Sequence, residues 1–445
     1  MNGRDVMSFS CKMAAVLILG VAIAACGSGK KKTGRLEGER IPVLTFEQEL
    51  IPDPRALDVQ VALPDPVRNR DWPQGGGMPA HAMQHLELAA NPKKAWRESV
   101  GDGTTGRKQL TSSPVVVEGI VYVMDSDAQV TALSASTGVT LWRRELEMKG
   151  RSKAVSFGGG VSVADGKVFA STGFGFVAAL DAQSGAELWR TDLAAPLRGA
   201  PAAGGGRVFV NTFDNQLFAL SASDGTEIWS HAGIIESAGI LGAATPAVVG
   251  STVIAGFSSG EIFALTAENG HVAWTDTLSR TGRLTPLATL SDVDGPPVVD
   301  RGLVFATSHG GRMAAIDLRS GERVWERNVG SLYSPWIAGE FLFAVTVDSQ
   351  VVCLTRRDGR VRWVRELQRY KDQEKRKGLL TWAGPVLAGD RLIVTSSHGY
   401  ALSISPYTGE VISGMKLSDK TYLSPVVADG TLYILSEDGE LTAMR

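Results

Sequence analysis

Two aspartates and an arginine are the residues whose types and positions most suggest a specific role. Asp292 and Asp294 stand in LSDVDGPPVV (290–299), and Leu197 and Arg198 stand in PLRGAP (196–201). Carboxylates beside an arginine and a leucine form a mixed surface, in which Arg and apolar contacts supply binding energy and charge supplies orientation. The aspartates and Arg198 could also hold each other in place. The alternative for the aspartates is a solvated Asx turn ahead of the two prolines.

Cys26 is the second residue with distinctive chemistry. Basic residues precede the apolar run MAAVLILGVAIAAC (13–26), which is too short to span a membrane and fits the core of a signal peptide. The run ends in a sequence that resembles the lipobox of bacterial lipoproteins. That resemblance implies a signal peptide at 1–25, acylation of Cys26 (palmitate among the chains) and, with Gly27 next, sorting to the outer membrane. A plain secretory signal with an incidental cysteine is the alternative.

Composition limits the class of protein. The 445-residue chain has a formal net charge of −2, which gives no basic face for nucleic acid. Its 51 glycines and ten tryptophans in an otherwise ordinary apolar composition are typical of many short strands joined by tight turns. Residues 26–92 are rich in proline and are predicted to form a lipidated, extended tether, with residues 93–445 as the folded domain. Within the tether, residues 71–81 (DWPQGGGMPAH) are expected to lie against the folded domain, because Trp72 would otherwise be exposed to water.

An internal repeat runs from Trp96 to the end of the chain. Its clearest element is a five-residue strand that occurs eight times: QVTAL (129–133), FVAAL (176–180), QLFAL (216–220), EIFAL (261–265), RMAAI (312–316), QVVCL (350–354), YALSI (400–404) and ELTAM (440–444). Six copies are followed by Gly-x-x-x-Trp, which gives Trp142, Trp189, Trp229, Trp274, Trp325 and Trp363. The seventh has Gly409 but Ser413 in the tryptophan position.

The repeat predicts an all-β, eight-bladed propeller of four-stranded antiparallel blades. The units alternate with period two, are rich in valine and carry glycine where a helix would break. The last unit stops after its third strand, and the strand around Trp96 has no unit before it, so we expect that strand to complete the last blade and close the ring. The tryptophans are interpreted as blade packing. Cys353 takes a position that other copies fill with alanine and is interpreted as a small buried residue.

The remaining polar residues do not form a catalytic pattern. His309 and His398 fall in turns where other units have Asp or Gly. His81 and His85 have the i,i+4 spacing of a metal pair, but no acidic or cysteine cluster accompanies them and their context is rich in proline. The charged run RELQRYKDQEKRKG (365–378) is predicted to be a solvated loop or a short helix between blades six and seven, or less favourably a second contact surface.

The repeat G-x-V-Y-V…V-x-A-L-x-A-x-T-G-x-x-x-W resembles pyrroloquinoline-quinone-type propellers over roughly residues 95–445. The segments 196–201 and 290–294, with the lipobox, resemble one branch of that superfamily, the BamB family of outer-membrane lipoproteins. The resemblance implies a non-enzymatic, cofactor-free scaffold of the β-barrel assembly (BAM) complex. It would lie at the outer membrane facing the periplasm and assist the folding and insertion of β-barrel proteins.

In the same resemblance, Leu197, Arg198, Asp292 and Asp294 match the residues that contact the POTRA domains of BamA. Ala195 stands where the family often has leucine, which is expected to weaken the apolar contact. Direct contact with nascent barrels is left open. A quinone-dependent dehydrogenase remains an alternative, although the vicinal cysteine pair of those enzymes is absent from the sequence. A generic periplasmic sensor or binding propeller is the third possibility.

Overall fold

The computed structural model describes residues 50–147, 156–193, 195–236, 244–279 and 291–445. The predicted signal peptide, Cys26 and the predicted tether up to residue 49 lie outside the described residues. In the ranges that are described, no helix is long and apolar enough to cross a membrane.

The described residues form short strands and one 3-10 helix (Pro54–Ala56). The first strands are β1 (Lys94–Ser99), β2 (Lys108–Gln109), β3 (Val115–Val117), β4 (Ile120–Met124), β5 (Gln129–Ser134), β6 (Thr140–Glu145), β7 (Ser156–Phe157), β8 (Gly159–Ala164), β9 (Lys167–Thr172), β10 (Phe176–Asp181), β11 (Glu187–Asp192), β12 (Ala202–Gly204), β13 (Arg207–Asn211), β14 (Gln216–Ser221), β15 (Glu227–Ala232), β16 (Ala247–Val249), β17 (Thr252–Gly256), β18 (Glu261–Thr266) and β19 (Val272–Thr277). They are followed by β20 (Val298–Asp300), β21 (Leu303–Ser308), β22 (Arg312–Asp317), β23 (Arg323–Arg327), β24 (Trp336–Ala338), β25 (Phe341–Val345), β26 (Gln350–Thr355), β27 (Val361–Glu366), β28 (Tyr370–Asp372), β29 (Lys377–Leu379), β30 (Trp382–Ala388), β31 (Arg391–Ser396), β32 (Tyr400–Ile404), β33 (Val411–Lys416), β34 (Val426–Ala428), β35 (Thr431–Leu435) and β36 (Glu440–Met444).

Eight four-stranded antiparallel sheets make up the blades, which confirms the predicted fold. Blades 1 to 7 are β3–β6, β8–β11, β12–β15, β16–β19, β20–β23, β24–β27 and β30–β33. Blade 8 consists of β34, β35 and β36 with the N-terminal β1 as its outer strand, and Trp96 lies opposite Ala443 in that pair. The ring is therefore closed by the two ends of the repeat region, as the sequence predicts.

The charged run at 365–378 is neither a loop nor a helix over its whole length. Its second half contributes to an antiparallel hairpin, in which β28 pairs with β29 and Tyr370 lies opposite Leu379. The Asp372 carboxylate accepts a hydrogen bond from the Lys375 backbone N–H at 3.0 Å and so shapes the turn. This hairpin corrects the predicted loop or short helix.

The repeat tryptophans join neighbouring blades, which confirms their structural interpretation. Trp229, for example, donates its indole N–H to the Ala267 carbonyl of blade 4 at 3.0 Å. Its ring lies against Gly270, where φ is +72° and an added Cβ would come within 2.7 Å of the indole. Glycine is required here because the ring occupies the space of a side chain. The same donation to the next blade is made by Trp96, Trp142, Trp189, Trp274, Trp325 and Trp363.

Ser413 in blade 7 departs from this pattern for a reason that the closure provides. A tryptophan in each outer strand packs on the turn between the third and fourth strands of the next blade. Blade 8 has no such turn, because its third strand ends at Met444 and its fourth begins at Lys94. A tryptophan at position 413 would therefore have no glycine turn to pack on, and the side chain there is exposed.

Residues 67–90, here called the strap, cross the end of the central channel and contact the inner strand of every blade or the turn that follows it. The contacts are Trp72 N to Val116 O (2.6 Å), Val163 N to Pro73 O (2.8 Å), Ala203 N to Gln74 Oε1 (3.2 Å), Val248 N to Pro79 O (2.8 Å), Val299 N to Ala80 O (2.8 Å), Gly339 N to Gln84 Oε1 (3.1 Å), Gly389 N to Leu86 O (2.9 Å) and Asp429 N to Asn69 O (2.7 Å). The strap thus supplies partners to the backbone groups of the inner strands.

The strap changes the predicted domain boundary. Residues 26–92 were predicted to form an extended tether, of which only residues 71–81 would lie against the folded domain, but the described part of this segment, from residue 50 onward, packs on the ring. A segment rich in proline and glycine builds no core of its own, yet its backbone and a few side chains find partners on a ring that is already formed. Trp72, for example, is buried and stacks on Trp336 with ring centroids 6.2 Å apart.

His81 and His85 hold the strap in place. His81 Nδ1 lies 2.7 Å from the Pro297 carbonyl, and burial lowers the pKa of this imidazole to about 4. It is therefore neutral at neutral pH. His85 uses both ring nitrogens, with Nδ1 2.8 Å from the Pro64 carbonyl and Nε2 accepting from the Asp390 backbone N–H at 3.0 Å. Their spacing serves two separate anchors of the strap.

Candidate partner-binding face

The two segments singled out in the sequence lie on one face of the ring. Residues 196–201 connect β11 to β12, and residues 291–297 belong to the connection from β19 to β20. In a propeller with antiparallel blades, connections from an outer strand to the next inner strand share one face with the turns between second and third strands. The strap lies at the turns between first and second strands, on the opposite face. We call the face that carries the connections from outer to inner strands the entry face.

Close backbone contacts fix Leu197 and Arg198. The Leu197 N–H donates to the Thr172 carbonyl at 3.1 Å, and the Arg198 N–H donates to the Asn211 carbonyl at 3.2 Å. An added Cβ at Gly158 would lie 2.4 Å from the Leu197 carbonyl oxygen, and φ at Gly158 is +105°. Glycine is therefore required at position 158, because the 197–198 backbone crosses blade 2 at this point.

Arg198 and Asp292 form a buried ion pair between the entries of blades 3 and 5. Arg198 Nη2 lies 3.6 Å from Asp292 Oδ1, and the two residues are 5% and 0% exposed. The guanidinium also lies over the Phe213 ring, with its Cζ atom 4.8 Å from the ring centroid. The Asp292 carbonyl accepts from the His309 backbone N–H at 2.8 Å, so the turn histidine helps to fix this connection.

The predicted mixed surface is therefore not formed by the predicted side chains. Leu197 and Asp292 are fully buried, and Arg198 is nearly so. Ala195 is partly exposed, which leaves room for a larger side chain at that position. The expectation that arginine and aspartate hold each other in place agrees with the geometry of Arg198 and Asp292.

Asp294 lines the central channel. A cavity of about 450 Å³ lies between the strap and the starts of the inner strands, and its walls include Asp294, Tyr333 and Ser112. Asp294 Oδ2 is buried and has no hydrogen-bond partner among the described residues. Burial raises the pKa of Asp294 well above its ordinary value, the Asp292 carboxylate raises it further, and Arg198 opposes both.

This raised pKa predicts how stability depends on pH. The folded chain keeps the Asp294 proton over a range where the unfolded chain has released it, so the free energy of unfolding falls as pH rises from about 4 towards the folded pKa. In an Asp294→Asn variant, residue 294 carries no ionisable group and so does not lower the free energy of unfolding as pH rises. Urea unfolding at a series of pH values should show the variant gaining on the parent by ~1.4 kcal/mol per pH unit within that window. A constant difference across the window would contradict the assignment.

Exposed apolar side chains lie beside the buried pair. The rim patch, as we define it, consists of Pro196, Phe213, Ile234 and Ile235. Phe213, Ile234 and Ile235 are 45%, 60% and 74% exposed. The Phe213 N–H donates to the Pro196 carbonyl at 2.7 Å, so the two residues are held side by side.

An asparagine supports the rest of the rim patch. Asn215 Nδ2 donates to the Ile234 carbonyl at 2.6 Å, and its Oδ1 accepts from Ser258 Oγ at 2.8 Å. Sequence reasoning missed this patch. Its one signal was a phenylalanine in the turn FDN (213–215), where most blades have small or polar residues. An exposed, supported apolar cluster of this kind marks an interaction site.

Comparison with known proteins identifies relatives along most of the chain. The family model described as "Outer membrane protein assembly factor BamB" matches residues 87–155 and 126–365. The outer membrane protein assembly factor BamB of Salmonella typhimurium is 32% identical over 367 residues, which cover 81% of this chain and 91% of the relative. The protein of the same name from Escherichia coli is 31% identical over 358 residues, covering 80% and 89%.

Solved structures share the propeller. The crystal structure of BamB from Moraxella catarrhalis superimposes with a TM-score of 0.68 at 21% identity, covering 80% of this chain and all of that one (100%). A europium-containing methanol dehydrogenase superimposes with a TM-score of 0.64 at 14% identity, covering 82% of this chain and 89% of that one. At these identities the structures establish the fold alone.

Proposed function

Since this chain belongs to the BamB family of outer membrane protein assembly factors, we propose that it is a non-enzymatic scaffold of the BAM complex that binds the POTRA domains of BamA. The entry face is the proposed binding surface. The observation that carries the proposal is the rim patch, an exposed apolar cluster that adjoins segment 196–201. Arg198 of that segment lies under Phe213 of the patch and pairs with Asp292 of the second segment that resembles the BamA-contacting segments of the family. The protein acts at the outer membrane and faces the periplasm.

The residues of the site have two separate roles in this proposal. Phe213, Ile234 and Ile235 contact the partner, because they are exposed and apolar. Leu197, Arg198, Asp292 and Asp294 contribute from beneath: the buried ion pair and the backbone bonds of Leu197 hold the connections that present the patch. Arg198 links the two roles, since its guanidinium lies under the exposed Phe213 ring.

Attachment to the membrane is proposed through acylation of Cys26 after cleavage of residues 1–25. Residues 26–49 then remain as the tether. Several acyl chains anchor a protein stably, because each buried CH₂ contributes about 0.8 kcal/mol. The scaffold assignment without enzymatic activity is supported by family membership and by the sequence, whose three cysteines include no vicinal pair.

The proposal is tested by binding of purified POTRA domains from the same organism to a rim variant, Phe213→Ser with Ile235→Ser. Truncating two central apolar contacts is expected to weaken binding by about 10- to 100-fold. The matched control is Leu188→Ser with Ile228→Ser, which removes two exposed aliphatic side chains (48% and 42% exposed) from outer strands away from the rim patch. Equal binding by the rim variant and the parent would place the interface elsewhere on the ring.

A further inference from the structure

One flank of the ring carries an unusual concentration of basic residues. Residues 356–377, here called the basic flank, run from the turn before β27 through the β28–β29 hairpin. They contain ten Lys and Arg and four Asp and Glu, a net charge of +6 in a chain whose total is −2. Blade 2, which lies opposite in an eight-bladed ring, carries a net charge of −2 over residues 159–192. The propeller is thus electrically polarised across its diameter.

Most of this charge is available to a partner. Side chains of Arg357, Arg369 and the four basic residues of the hairpin are exposed. Within the described residues, six of the ten basic side chains have no carboxylate within 4.0 Å, namely Arg357, Arg362, Arg365, Lys371, Arg376 and Lys377. Leu379, 63% exposed, stands at the end of the same hairpin. Exposed basic residues beside an apolar side chain suit an anionic lipid surface.

The described chain begins at this same flank. The Asp53 N–H donates to the Val361 carbonyl of β27 at 2.8 Å, and Arg362 Nε donates to the Val59 carbonyl at 2.7 Å. Leu50 packs against the apolar cluster that includes Trp325 and Val361. The segment that leads back to Cys26 therefore joins the ring at blade 6, the blade whose outer strand precedes the basic hairpin.

The length of that segment limits the distance to the membrane. Residues 26–49 number 24, and a chain of this length spans at most about 80 Å when fully extended. An acylated Cys26 would therefore limit how far blade 6 can move from the lipid surface, and would raise the effective concentration of headgroups at the basic flank.

We propose that the basic flank binds anionic phospholipid headgroups and so sets the orientation of the propeller on the membrane. With blade 6 against the surface, the rim patch at blades 2 to 4 lies across the ring from the lipid and is open to a partner in the periplasm. The proposal relies on the acylation proposed above only for the side of the ring that faces the membrane. The binding of headgroups depends on the basic residues of the propeller and not on the acyl chains.

The test measures sedimentation of the unacylated chain, residues 26–445 with Cys26→Ser, with vesicles of phosphatidylcholine alone or mixed with phosphatidylglycerol. The parent should bind the anionic vesicles at low salt and dissociate from them at 0.5 M salt, because salt screens the attraction between the basic residues and the headgroups. The variant Lys371→Gln, Lys375→Gln, Arg376→Gln and Lys377→Gln should bind about 600-fold more weakly, since each of the four charges contributes roughly five-fold.

Two further variants separate charge from fold. The matched control, Lys93→Gln, Lys94→Gln, Arg97→Gln and Arg143→Gln, removes four exposed charges from blades 8 and 1 and should bind within about five-fold of the parent. A charge-conserving variant, Lys371→Arg, Lys375→Arg and Lys377→Arg, should bind as the parent does. Absence of binding by the parent, or equal losses in the flank and control variants, would overturn the proposal.

An acidic protein surface is the other occupant that this charge could fit. It would be indicated if the flank variant bound anionic vesicles like the parent but lost POTRA binding, and that result would also overturn the lipid proposal. Failure of the proposed scaffold function is distinguished from the lipid and acidic-protein outcomes, because POTRA binding by the rim variant is measured without lipid.

Discussion

Replacement of Arg198 by alanine is expected to lower the free energy of unfolding by about 3–5 kcal/mol, because it removes the guanidinium that faces the buried Asp292 carboxylate. The variant should also bind POTRA domains poorly, since Phe213 loses the side chain that lies beneath its ring. Urea unfolding measures the first effect, and the binding assay measures the second.

A double variant distinguishes positioning from contact. Arg198→Met with Asp292→Asn removes both charges and keeps much of the side-chain volume, so stability should recover to within about 1–2 kcal/mol of the parent. If the pair acts by holding the rim patch, binding should recover with stability. Recovery of stability without recovery of binding would mean that Arg198 itself reaches the partner, against the positioning role assigned to it.

Replacement of Trp229 by alanine is expected to cost about 3–5 kcal/mol. Trp229 is 8% exposed, packs on Phe209 with ring centroids 5.8 Å apart, and donates to the next blade. Its removal opens a cavity at the junction of blades 3 and 4 and leaves the Ala267 carbonyl without its donor. Urea denaturation of the variant should show the loss as a lower midpoint.

Ser413→Ala provides the comparison at the same repeat position in blade 7. Because Ser413 is exposed and faces a blade that lacks the glycine turn, this change should alter stability by no more than about 0.5 kcal/mol. If the two variants lowered the free energy of unfolding by similar amounts, or if Trp229→Ala lowered it by less than about 1 kcal/mol, the tryptophan would not join the blades as described.

The repeat allowed most of the ring to be predicted from the sequence. All eight copies of the third strand occupy the same place in their blades, and β1 closes blade 8. A repeat is informative because each blade buries the same faces against its neighbours, so the pattern recurs in the sequence. Even Ser413, which the pattern alone did not explain, follows once the closure is known.

Most of the strap could not be predicted in this way, and only residues 71–81 were expected to lie against the ring, because of Trp72. Its contacts are mostly between backbone groups, which leave no trace in residue type, and its prolines and glycines are typical of linkers. The site was predicted in position but not in exposure. Leu197 and Arg198 are buried because glycines of blade 2 let their backbone approach closely, and that approach depends on a non-repeating contact between two segments.

The most direct test of the central claim is amide hydrogen exchange of the chain with and without purified POTRA domains. Added protection is expected on the entry face, at residues 211–216 and 232–236, where the rim patch lies. The strap at 67–90 on the opposite face should exchange as it does in the free protein. Protection confined to the strap, with the rim patch unchanged, would contradict the assignment of the binding face.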